Sequence, residues 1–116
     1  KVNYINNLNL NNKPPIKMIY LNIIKSYRDV VAVCDSSLLG KRFEEGKFQL
    51  DIKESFYKGE EVSGEEAIET MKSMLKEDAT FNIVGNEAVN AAITAGIIPK
   101  DAVGKIQGIP FALILL

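Results

Sequence analysis

The chain of 116 residues has no histidine, no tryptophan and a single cysteine, Cys34. Histidine is the side chain that most often serves as a general base near neutral pH and most often ligates transition metals. Its absence excludes zinc sites assembled from Cys and His, and no metal or other cofactor is expected. A lone cysteine cannot close an internal disulfide, which fits a reducing compartment, and the cytoplasm is the expected location. An enzyme built on this chain would depend on carboxylates, lysine, tyrosine or Cys34.

Long apolar runs are missing as well. The longest, Ile109 to Leu116, is interrupted by Pro110 and falls far short of the ~20 residues that span a bilayer. No transmembrane helix and no membrane partner are expected. The first 17 residues hold six asparagines and a Pro-Pro pair, and they lack the apolar core of a secretory signal. They are unlike everything that follows, so the domain is expected to begin at Met18, with residues 1–17 an Asn-rich arm outside it.

What is present reads as one globular domain, 47% hydrophobic and 25% charged, with enough chain to bury a core without disulfide or metal. The net charge of −1 conceals a segregation. Residues 60–78 carry seven acids and two lysines, a balance of −5, so the remainder carries +4. A solvated acidic helix face accounts for this, and so does orientation on an anionic partner.

From Met18, "MIYLNIIK" and "DVVAVCD" are β-rich runs joined by "SYR", the pattern of a hairpin. Residues 35–46 read as a loop punctuated by Gly40 and Gly46. "KFQLDIK" alternates as a half-buried strand, with Phe48, Leu50 and Ile52 on its inner face. Ser63 followed by Glu66 is a capping box, and Ala67, Ile68, Met71, Met74 and Leu75 continue as an apolar helical stripe. "ATFNIVG" is a short strand, "EAVNAAITA" a second helix ended by Gly96, and Pro99 blocks its extension. "IPFALILL" is apolar without alternation, as in a strand covered on both sides or buried at a subunit contact. The order β-β-β-α-β-α-β favours an α+β two-layer sandwich: a mixed or antiparallel sheet with two helices on one face.

Cys34 is the obvious nucleophile, but the adjacent Asp35 opposes thiolate formation and no histidine can activate it, so a packing cysteine outweighs a reactive one. "LLGKRFEEGK" gathers Lys41, Arg42 and Lys47 near two glycines without matching a phosphate-binding loop. "NIVGNEAV" is a strand-Gly-helix junction suited to an anion, yet Glu87 already supplies negative charge there. "SFYKGEE" places Phe56 and Tyr57 beside Lys58. With Tyr20, Tyr27, Phe43 and Phe48 these aromatics could stack on unpaired bases if several lay exposed on one face.

The segments "VAVCDSSLLGKRFEEGKFQLDI", "FYKGE", "NIVGNEAV" and "KIQGIPFA", in this order, resemble the archaeal domain-of-unknown-function family 424 from Met18 to the C-terminus. The resemblance implies a single α+β domain and carries no activity. It marks residues 34, 35, 38–41, 56, 57, 59, 85, 108 and 110, most of which read as packing or turn positions. Asp35, Lys41 and Tyr57 are the exceptions, and with Arg42 and Lys58 they form the candidate binding set. The expected function is a non-catalytic module docking on RNA or a ribonucleoprotein. The alternatives are a protein-interaction or homo-oligomerising domain using the strand Phe111 to Leu116, and an enzyme or small-molecule binder using Asp35, Lys41 and Tyr57.

Overall fold

The computed structural model describes residues 17–115, so the Asn-rich stretch 1–16 lies outside the described residues. Eight strands and three α-helices follow in chain order: β1 (Ile19–Ile24), β2 (Val30–Asp35), β3 (Arg42–Glu45), β4 (Phe48–Asp51), α1 (Glu54–Tyr57), β5 (Glu60–Val62), α2 (Gly64–Lys76), β6 (Thr80–Val84), α3 (Asn86–Thr94), β7 (Gly104–Ile106) and β8 (Ile109–Ile114). Six strands form one sheet in the order β5-β1-β2-β6-β8-β7, and β3 and β4 form a separate two-stranded sheet. Only β2 and β6, at the centre, run parallel. The fold is α+β with a mixed sheet, as the element order predicts.

One face of the sheet carries Ile19 and Leu21 from β1, Val31 and Val33 from β2, and Phe81 and Ile83 from β6. Helices α2 and α3 close over this face with Ala67, Met71, Met74, Ala88 and Ala92. Helix α2 starts at the expected capping box: the Glu66 N–H donates to Ser63 Oγ at 3.2 Å and the Ser63 N–H donates to Glu66 Oε1 at 3.1 Å. Two of the four free N–H groups at the helix start are thereby satisfied. At the end of α3 the chain turns through Gly96 at φ +79°, a left-handed conformation that glycine adopts without a Cβ penalty.

The opposite face is where the structure departs from the sequence reading. Residues 42–45, expected as loop, are strand β3, paired with β4 across a two-residue turn with Gly46 at φ +61°. This hairpin and the single turn of α1 cover part of the second face. They bury Ala32, Cys34, Ile52, Tyr57 and Val84 in a smaller core that Phe43, Leu50 and Phe111 partly enclose. Phe48 does not join Leu50 and Ile52 inside as the alternation predicts; it is 71% exposed at the hairpin tip. The hairpin outruns the surface beneath it there. Its end is tied to the β7–β8 turn instead, where the Gln107 N–H donates to Glu45 Oε1 at 2.7 Å and Gln107 Nε2 donates to the Glu44 carbonyl at 2.6 Å.

Candidate functional site

Asp35 ends β2 beside the end of the parallel strand β6, where the chain turns through Gly85 into α3. Gly85 stands at φ +108° and has no side chain to cap that helix. Asp35 does so from another strand: Oδ1 accepts the Ala88 N–H at 2.8 Å and Oδ2 accepts the Glu87 N–H at 3.2 Å. A Cβ added to Gly85 would fall on the Asp35 carboxyl. The residue pair therefore fits together only because position 85 is glycine.

Burial raises the Asp35 carboxyl above its ordinary value, the two amide donors pull it back, and the nearby Glu87 charge pushes it up again. Around it lies an open cleft of about 450 Å³, lined among others by Lys17, Ser36, Glu61, Asn86 and Glu87. Lys17 Nζ lies 3.6 Å from Glu87 Oε2. Clefts at the carboxyl ends of neighbouring parallel strands are where open sheets often take ligands. Here the buried carboxylate is already occupied by the helix it caps.

The other candidates lie elsewhere. Tyr57 is buried in the small core, and burial, with the neighbouring Cys34, pushes its phenol up to about 12. Cys34 is fully buried, and burial, followed by the Asp35 charge, pushes its thiol up to about 12. Lys41 is exposed, and its backbone closes the hairpin: its carbonyl accepts the Ile52 N–H at 2.9 Å. The Arg42 guanidinium donates to Gln49 Oε1 at 2.8 Å and lies 2.9 Å from Glu44 Oε2. Lys58 is exposed just beyond α1. Asp35 lines the cleft, whereas Lys41 and Tyr57 do not. Among the described residues no cluster of three or more Cys, Asp or Glu side chains could hold a metal ion, and no helix is long and apolar enough to cross a membrane.

The six aromatics that could have formed a stacking surface are divided. Tyr20, Phe43, Phe56 and Tyr57 belong to the small core, while Tyr27, between β1 and β2, and Phe48, at the hairpin tip, stand in solvent. Among the described residues the other exposed large apolar side chains, Leu113 and Leu115, lie at the end of β8, beyond the part of the second face that the hairpin covers. Strand pairing aligns Ile24, Val30 and Thr80 in one row, and Asn22, Ala32, Asn82 and Leu113 in the next, where Ala32 is fully buried and Asn22 Nδ2 donates to the Phe56 carbonyl at 2.8 Å. Ile24, Val30, Leu113 and Leu115 pack into neither core. Leu113 is 53% and Leu115 70% exposed. Strand β8 is thus covered on both sides only in its first half. The uniform apolarity of "IPFALILL" was the one sequence signal for this strip; its neighbours in β1 and β2 gave none.

The family model described as "Protein of unknown function (DUF424)" matches residues 24–116. A solved structure, described as an uncharacterized conserved protein from Methanopyrus kandleri, is similar with a TM-score of 0.77 and 26% identity, over 84% of this chain and 90% of that one. Among curated proteins none matches. With a six-stranded mixed sheet, two helices on one face and a family match over most of its length, the chain belongs to the DUF424 family of proteins of unknown function.

Proposed function

We propose that the protein is a non-catalytic docking module that engages another protein through the open half of its sheet. The observation that carries this reading is the exposure of Leu113 and Leu115 on a face whose other half is covered by the chain's own hairpin. Large apolar side chains adjacent on a sheet face cost free energy in water until something covers them. The groups that chemistry would need support the same reading. Cys34 and Tyr57 are buried with raised pKa values, and the Asp35 carboxylate is committed to capping α3. A photo-cross-linking residue in place of Leu113 tests the proposal in cell extract. Protein adducts support it, and RNA adducts alone, or none, reject it.

A second reading, docking on RNA or a ribonucleoprotein, draws on the exposed Phe48 beside the exposed Lys47 at the hairpin tip, with Lys41, Arg42 and Lys58 on the same cover. Arg42 is already engaged by Gln49 and Glu44, which weakens it as a free cation. RNA retention that falls steeply with salt and is lost in Phe48→Ala would favour this reading.

A further inference from the structure

We infer that the hairpin β3–β4 is a latched flap, able to lift off the sheet while the rest of the molecule stays folded. This goes beyond the docking reading and does not depend on it. From residue 41 to residue 51 no residue is buried: Phe43, Leu50 and Asp51 are half-buried and the others exposed. The hairpin forms a sheet of its own, and its strands approach the six-stranded sheet chiefly at β7, a three-residue edge strand. Two strands alone are marginal in water. A segment with few buried apolar contacts and exposed backbone bonds opens at less than the global free energy of unfolding.

The latch is Gln107. It stands at φ +51° in the turn that joins β7 to β8, followed by Gly108 at φ +77°. Two successive left-handed residues make the tight hairpin turn for which Asn-Gly is the favoured pair. A residue other than glycine carries a conformational cost there, which Asn and Asp bear most readily. Asparagine would suit this backbone better, but its side chain is one methylene shorter. The Gln107 side chain reaches the Glu44 carbonyl, and its N–H holds the Glu45 carboxylate. The less favourable turn residue thus stands where its length ties down the flap.

The opening stops at Ile52. The Lys41 carbonyl accepts the Ile52 N–H, and the Ile52 carbonyl accepts the Gly40 N–H at 2.7 Å, which closes the base of the hairpin. Beyond that base α1 is fastened separately: Asn22 Nδ2 donates to the Phe56 carbonyl, and Gly59 lies against the β1 backbone with no room for a Cβ. Ile52 and Tyr57 therefore remain in the core with Cys34 when the flap lifts, and Phe43 and Leu50 leave Ile109 and Phe111 uncovered. Ile109 and Phe111 share a side of β8 with Leu113, two residues on. The flap accordingly sets how much of that apolar row is exposed.

Native-state hydrogen exchange of the full chain, read by NMR, tests this. The hydrogen-bonded amides of residues 42–51 are expected to have protection factors at least ~10-fold below those of Val31, Val33 and Ile83, and to respond weakly to dilute urea because their opening exposes little surface. Gln107→Gly separates the latch from the turn. The lost side-chain bond belongs to the closed state alone, whereas the relieved turn is shared by closed and open states. Hairpin protection should therefore fall roughly 3–10-fold, the worth of one hydrogen bond, while protection at the sheet centre holds or rises; the shorter Gln107→Asn should act alike. Hairpin amides that exchange at the rate of the sheet centre overturn the inference, as do hairpin amides with no protection or an equal loss at both places in Gln107→Gly. Thiol labelling of Cys34 that keeps pace with hairpin exchange would likewise overturn the boundary at Ile52.

Discussion

Asp35 and Ala88 are 53 positions apart in sequence and joined by a 2.8 Å hydrogen bond from the Ala88 N–H to Asp35 Oδ1. The bond replaces the local cap that Gly85 cannot provide, and it fastens α3 to the end of a strand that is not its neighbour in sequence. Removing it in Asp35→Ala should cost about 1–2 kcal/mol, the range of helix-cap loss. Urea denaturation measures this, and an unchanged midpoint would mean that the cap carries no stability.

The same carboxyl gives a pH signature. Its folded pKa is raised by burial, so the folded state holds this proton to higher pH than the unfolded chain does. The stability linked to the shift is fully present below the ordinary carboxylate value and is lost as pH rises through the folded value. Asp35→Asn, which cannot titrate, should therefore compare least favourably with the parent at acid pH, the gap closing as pH rises. Parallel pH series of denaturation midpoints would show this, and a gap that widens with pH would contradict the assignment.

Alkaline stability should depend on the small core. Cys34 and Tyr57 both have folded values raised to about 12, from ordinary values of 9.0 and 10.0. Their contribution is complete below about pH 9 and declines as pH rises toward 12. Cys34→Ala should flatten this alkaline limb, at a cost of roughly 1 kcal/mol at neutral pH for the lost buried volume. In the parent, a thiol reagent should label Cys34 only at the rate of unfolding; fast labelling under native conditions would show that the residue is accessible.

Three glycines should respond differently to alanine. At Gly85 the left-handed backbone and the Asp35 carboxyl both oppose a Cβ, and at Gly59 the Cβ would strike the β1 backbone at Leu21 and Asn22. Each should cost more than ~1 kcal/mol, the cost of strain at one position. Gly64 opens α2 with nothing near its Cβ position, so Gly64→Ala should be neutral or stabilising by up to ~1 kcal/mol. Thermal unfolding of the three variants distinguishes them.

Two phenylalanines give an equally sharp contrast. Phe81 is fully buried between the sheet and the helices, and Phe81→Ala should cost about 3–5 kcal/mol. Phe48→Ala, at the solvent-exposed hairpin tip, should lie within ~0.5 kcal/mol of the parent. Comparable losses in the two variants would place Phe48 in a packed environment.

The parts of the fold legible in sequence were those governed by near neighbours. The Ser63–Glu66 box and the stripe behind it are set by contacts within four residues, and the two-residue period of a strand is enough to separate Val31 and Val33, on the helix-covered face, from Ala32 and Cys34 on the other. What sequence could not show was which alternating residues find a surface opposite them. Phe48 and Leu50 look alike in the pattern, but one reaches past the sheet and the other does not. Asp35 stands in the sequence as a polar residue without a core role, and its task is hidden there because the amides it receives come from the far side of a long excursion. Gly85 was the available clue, a helix start without a capping side chain. Strands β5 and β7, three residues each, were too short to carry any periodicity.

The parallel pairing of β2 with β6 also bears on how the molecule assembles. The hairpins β1–β2, β3–β4 and β7–β8 can each zip from their own turns within microseconds. The centre of the sheet cannot, because residues 36–79 must be gathered into a closed loop before Val31 meets Phe81 and Val33 meets Ile83. That closure sacrifices chain entropy ahead of the contacts that reward it. The slow step of folding is therefore expected at the middle of the sheet, with Asp35 reaching the amides of α3 among the last events.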